Sequence, residues 1–187
     1  MNKVPPKEKA KVYKRYPKSS LLIYNGTTIS HFLLGGIGII FGYNFSPYSL
    51  LFGIIYLAFA FGEMYILMPL KVCPNCVYYR MKGSLCVSGM NIVTRRIVRE
   101  GDPKDFPNRA KGLFCPNNLY MASLIFPIIA IIPALIINFS PVLLVVFLIV
   151  LGLMLFRFFI ISMKISCIHC MAKYTCPQAG QMGVREM

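Results

Sequence analysis

Charge is scarce in this sequence, and negative charge is scarcer. Only 14% of the 187 residues are charged, and six of them are acidic. A soluble domain carries about a quarter charged residues, so the composition argues against a chain that folds in water alone. Histidine is limited to His31 and His169. His31 stands alone in its apolar run, which leaves no second ligand for a bis-histidine haem. Phosphate-cradling glycine loops and nucleophile elbows are missing, and so are paired acids placed for acid–base chemistry. Asp102 and Asp105 lie in a turn and are expected to cap it.

What the sequence has in quantity is apolar residues, 57% of the chain, with a mean hydropathy of +0.63. They are gathered into runs at 20–43, 48–71, 119–137 and 142–165, each of 19 to 24 residues. About 20 apolar residues cross a hydrocarbon core of roughly 30 Å. The sequence therefore predicts an all-α integral membrane protein of four transmembrane helices. The first run is polar in its inner half (Asn25, Thr27, Thr28, Ser30, His31). Its outer half carries Gly35, Gly38 and Gly42, a small-residue face that permits close helix approach and invites a partner subunit.

The net charge of +14 raises the question of nucleic acid, which the placement of the charges answers. Seven Lys and Arg lie in 1–19, nine in 71–118 and three in 164–187; Arg157 is inside an apolar run, and the short connections between runs have none. This is the positive-inside distribution. It predicts a protein of the cell membrane with both termini and the central loop cytoplasmic. The basic residues are expected to meet anionic headgroups of the inner leaflet, and no nucleic-acid partner is expected. The start of the chain does not read as a cleaved signal, because the apolar run after it is long enough to span and no small-residue cleavage site follows.

An internal repeat organises the chain. Asn44-Phe45-Ser46-Pro47 recurs as Asn138-Phe139-Ser140-Pro141, an offset of 94. At the same offset Cys73 and Cys76 fall on Cys167 and Cys170. The protein reads as two hairpins, each ending in a C-x-x-C knuckle and related by a pseudo-two-fold axis along the membrane normal. In the turns, Ser46 and Ser140 are expected to cap the following helices, with Pro47 and Pro141 at the first helical position. The organisation is then a basic tail (1–19), a first hairpin with its knuckle (20–76), and a cytoplasmic loop (77–118). A second hairpin with its knuckle (119–170) and a cysteine-containing tail (171–187) complete it. Within the loop, 87–100 has apolar Met90, Val93, Ile97 and Val98 opposite Arg95, Arg96 and Arg99, which predicts an amphipathic helix on the inner leaflet or on the cysteine site.

Six of the seven cysteines form two triplets: Cys73, Cys76, Cys86 and Cys167, Cys170, Cys176. A C-x-x-C pair aims two thiolates at one point, and two pairs supply a tetrahedral set. A reducing compartment argues against disulfides. The leading expectation is a zinc ion held by Cys73, Cys76, Cys167 and Cys170. The alternative is an iron–sulfur cluster, with Cys86 and Cys176 completing the ligand set; Cys176-Pro177 matches the Cys-Pro that closes some cluster motifs. A redox dithiol is a third use. His169 could replace one thiolate, and Cys115 has no counterpart in the repeat. Within the membrane, Glu63 and Arg157 are also 94 apart. They are expected to form an ion pair that locks the hairpins, with a proton or ion relay as the alternative.

The strings Cys73-Pro-Asn-Cys-Val-Tyr-Tyr, Cys86 with Gly89, Gly101-Asp-Pro-Lys-Asp-Phe, and Cys167, Cys170, Cys176-Pro177 resemble a family of small uncharacterised four-helix membrane proteins. In that family a CPxC-x-YY…C loop and a CxxC…CP tail follow the second and fourth spans. The resemblance implies the topology and the shared cysteine set, and no activity. The expected function is an accessory, more structural than catalytic, subunit of a membrane-embedded redox complex, with a cytoplasmic Cys-ligated metal and other membrane subunits as partners. The alternatives are a stand-alone thiol or iron–sulfur oxidoreductase, or a small transporter using Glu63 and Arg157.

Overall fold

The computed structural model describes residues 10–185. The chain is all-helical, and among the described residues no strand forms; Tyr13 with Cys170 and Arg15 with Leu85 make two isolated bridges. Helix α1 spans Lys18–Gly42 and α2 spans Ser49–Gly62, continuing as a π-helix over Glu63–Val72. Short helices α3 (Val77–Arg80) and α4 (Met90–Ile97) follow, then a 3-10 segment over Pro103–Ala110. Helix α5 spans Pro116–Ile137, and α6 spans Pro141–Phe156 with a π-helix over Arg157–Ser166; α7 is Pro177–Gln181.

Three helices are long and apolar enough to cross a membrane: Ser49–Asn75, Pro116–Ile137 and Pro141–Ser166. Helix α1 has the length, at 25 residues, but its polar half and its glycines dilute its hydropathy. Its position explains that composition. It packs against α2, α5 and α6 together, so its polar and small side chains are covered by protein. Thr28, His31, Phe32 and four glycines are buried along it.

The glycine face serves this packing and is not left open for another subunit. A Cβ on Gly35 would come within 2.7 Å of the Pro127 ring, and one on Gly42 within 2.7 Å of the Ala134 Cβ. Pro127 has no N–H, so the carbonyl one turn back in α5 loses its helical donor. In an apolar bundle that carbonyl needs another, and Tyr56 Oη of α2 donates to Ser123 O at 3.1 Å. His31 Nε2 donates to the neighbouring carbonyl, Leu124 O, at 3.0 Å. The single histidine of α1 is thus a structural donor that ties α1 to α5.

The two turns differ from the expected caps. Helix α2 begins at Ser49, and Ser46 Oγ accepts the Tyr48 N–H at 3.3 Å, so Ser46 and Pro47 stay in the turn. Pro141 does hold the first turn of α6, but Ser140 makes no side-chain cap. At this end Asn138 Nδ2 donates to Asn44 Oδ1 at 3.1 Å.

At the other end, both π-helices stop at a knuckle. The N–H of Cys73 reaches back five residues to Met68 O, and that of Cys167 reaches Ser162 O. Sustained i→i+5 winding is rare in proteins and gathers at functional sites. Here it occurs twice, over Glu63–Val72 and Arg157–Ser166, immediately ahead of the cysteines.

Candidate metal centre

Each knuckle closes with the same bond: Cys76 N–H donates to Cys73 O at 3.1 Å, and Cys170 N–H donates to Cys167 O at 3.2 Å. The first sits on the 3-10 turn Cys73–Asn75, and the second precedes the 3-10 turn Met171–Tyr174. The two triplets come together. Cys73, Cys76, Cys86, Cys167, Cys170 and Cys176 all line one cavity of about 180 Å³ at the end of the bundle. All seven cysteines are free thiols.

The sulfurs do not converge on a single point. Among the described residues no group of three or more His, Cys, Asp or Glu side chains is placed to hold one metal ion. Zinc needs four sulfurs at about 2.3 Å from the ion. Here six thiols ring a space far larger than the room one water requires, roughly 10–15 Å³. Cys115 stands apart, buried at the start of α5, where its Sγ accepts the Asn118 N–H at 3.4 Å. His169 is turned away. Its ring stacks on Tyr13 with centroids 4.5 Å apart, and Nδ1 bonds Lys11 O at 2.6 Å.

Burial governs the thiols. It pushes Cys76 up to about 11 and raises Cys167 and Cys170 as well. A buried thiol stays protonated and is a poor nucleophile, whereas a metal cation displaces those protons and stabilises the thiolates. The site suits coordination better than thiol exchange.

The basic tail is part of this site. Residues 1–9 of the expected headgroup-bound tail lie outside the described residues. Residues 10–17 bond to the second knuckle and to the loop that follows the first. Tyr13 N–H donates to His169 O at 2.9 Å, and Tyr16 N–H to Leu85 O at 2.9 Å. Tyr16, 2% exposed, donates its hydroxyl to Ser166 O. Tyr78, two residues after Cys76, donates to Tyr13 O and accepts the Met171 N–H at 3.2 Å. Burial raises both phenols further above their ordinary range and keeps them protonated donors.

The predicted amphipathic helix over 87–100 forms only over Met90–Ile97, entered through Gly89 at φ +76°. Its polar side faces the protein. Asn91 and Thr94 are buried, while Ile92, Val93 and Ile97 are exposed. Arg95, expected on a solvated face, donates to Tyr79 O at 2.7 Å, Met81 O at 2.6 Å and Ser84 Oγ at 2.8 Å. Asp102 Oδ1 accepts the Lys104 N–H at 2.9 Å, as a capping residue should, whereas Asp105 accepts the side-chain amide of Asn108 and caps no backbone group.

The expected Glu63–Arg157 ion pair does not form; the one ion pair among the described residues is Arg80–Glu100, at the surface. Arg157, 4% exposed, donates to Tyr24 O at 3.3 Å and to Thr28 Oγ1. Its guanidinium lies 4.3 Å from the Tyr24 ring centroid and 5.3 Å from that of Tyr120. Aromatic faces and a backbone carbonyl satisfy the cation in place of a carboxylate. Glu63, 3% exposed, leaves Oε1 without a hydrogen-bond partner. Arg109, which the sequence did not single out, lines the six-cysteine cavity.

No family model, curated protein or solved structure matches the chain.

Proposed function

We propose that the protein is an accessory subunit of a membrane-embedded redox complex and holds a polynuclear metal–thiolate centre, of the iron–sulfur class, in the six-cysteine cavity. The observation that carries this reading is that both cysteine triplets line one cavity of about 180 Å³. An iron–sulfur cluster, held by Cys thiolates, would occupy such a space. Four of the cysteines would bind it directly, and the others would stand in its immediate surroundings. The chain's own residues supply thiolates and dry walls from Met64, Met68 and Phe106. The cluster, when bound, supplies electron transfer.

In this reading α1 is a fourth span and both termini face the cytoplasm. Its length, its packing among three apolar helices and the one-sided distribution of Lys and Arg support that topology. Two pairs of residues 94 apart support a pseudo-two-fold axis: Asn44 meets Asn138 at one end, and Cys76 shares a cavity with Cys170 at the other. The outward Ile92, Val93 and Ile97 of α4, beside exposed Arg96, are suited to an anionic leaflet.

A second reading, one zinc held by Cys73, Cys76, Cys167 and Cys170, is favoured by the matching backbone closure of the two knuckles. The two part on composition. The protein isolated anaerobically in mild detergent is expected to carry iron and acid-labile sulfide and to bring further membrane subunits with it. One zinc per chain with no iron sinks the cluster. A metal-loaded chain that purifies alone sinks the subunit role.

A further inference from the structure

Four thiolates around zinc, or around a cluster core of the same two positive charges, leave a net charge of about −2. A dry site cannot hold that charge without compensation. Two guanidinium groups adjoin the cavity, and neither has a carboxylate among the described residues. Arg109, carried on the 3-10 segment Pro103–Ala110, lines the cysteine cavity itself. Its guanidinium carbon lies 5.3 Å from the Phe106 ring centroid, and its Nε–H is buried without a partner. An orphaned buried donor is costly, and a sulfur in the cavity would relieve it. Arg157 approaches from within the bundle. It shares a smaller cavity of about 50 Å³ with Cys167, which also lines the larger one. Ser166 and Gln178 line that smaller cavity as well.

We infer that Arg109 and Arg157 are the built-in counter-charges of an anionic metal–thiolate centre, with Arg109 donating its free Nε–H to a sulfur and Arg157 acting through space beside Cys167. This rests on the metal centre proposed above, but holds for either metal. Such outer groups orient ligands and tune the metal. They are positioning residues and do not bind the metal.

The test uses the full chain in lipid nanodiscs, as wild type, Arg109→Met, Arg109→Lys and Arg157→Met. Metal content, the rate of metal loss to a chelator and, for a redox-active centre, the midpoint potential are measured. Reduction adds negative charge, so each Met variant is expected to shift the oxidised-to-reduced ratio at a set potential about tenfold toward oxidised, which is a fall of about 59 mV for a one-electron couple. Metal loss is expected to quicken about tenfold in both. Arg109→Lys keeps the charge and is expected to recover most of the potential. Variants that load fully with unchanged potential and unchanged metal loss overturn the inference and leave the metal centre standing. A wild type that holds no metal overturns the centre itself. Should Arg157→Met fail to fold, the two Arg109 variants decide the matter, because Arg109 sits outside the helical bundle.

Discussion

The first knuckle, Cys73–Cys76, is braced mostly from within its own loop, whereas the second, Cys167–Cys170, is braced mostly by segments far away in the chain. Around the first, Arg95 gathers the carbonyls that follow the cysteines, Asn91 accepts the Cys86 N–H at 3.1 Å, and Gly101 N–H donates to Pro74 O at 3.2 Å. A Cβ on Gly101 would stand 1.9 Å from Asn75 Oδ1, so a larger residue there displaces the Asn75 side chain. Around the second, Lys173 Nζ donates to Ile168 O at 3.0 Å from its own loop, and the remaining bonds come from Tyr13 and Lys11 of the N-terminal segment, which also ties to Leu85 of the first loop, and from Tyr78. Two turns of equal spacing are therefore unequal in support. The long central loop gave one copy its own scaffold, and the other copy leans on it. Damage to the first is expected to spread to the second, and damage to the second to stay local.

The largest effect tests whether the two knuckles serve one centre. Cys76→Ser and Cys170→Ser are each expected to remove nearly all bound metal, read as metal per chain. Full metal retained in either variant would separate the triplets. Next is Arg95→Met, which strips charge-assisted bonds from three carbonyls and is expected to cost about 3 kcal/mol in detergent unfolding. Hydrogen exchange should then rise in both 77–86 and 167–176; a rise confined to the first stretch would break the proposed dependence. Tyr78→Phe is smaller, about 1 kcal/mol, and is expected to raise exchange at 10–17 and 167–176 while 84–95 stays protected. Asn44→Ala, at the far end and exposed, is expected to cost at most about 0.5 kcal/mol and to leave metal content unchanged.

Much of this was legible in the residues. Three spans follow from long apolar runs, since lipid-facing helices need side chains that are apolar all round. The repeat and its cysteines are visible because the same residues recur at one offset of 94, and Asp102 as a cap follows from its place before Pro103. Other features carry no periodic signature. The N-terminal segment binds through backbone groups and tyrosine hydroxyls, which leave no pattern in a basic tail. Helix α4 shows its amphipathic period, but the period does not say which side turns inward, and Arg95 and Asn91 turned inward to serve loop carbonyls. Arg157 looked like half of an ion pair because Glu63 lies at the matching repeat position. Two aromatic faces and a threonine satisfied it first, and those neighbours come from α1 and α5. Arg109 is one basic residue among nine between 71 and 118, and only the folded cavity sets it apart.

The proposal at stake is one polynuclear centre in the cavity that six cysteines from both halves line. Anaerobic purification followed by visible absorption and assay of iron, sulfide and zinc per chain tests it most directly. The account predicts a brown protein with iron and sulfide, whose colour bleaches on reduction. A colourless protein, with one zinc or with no metal, would contradict it.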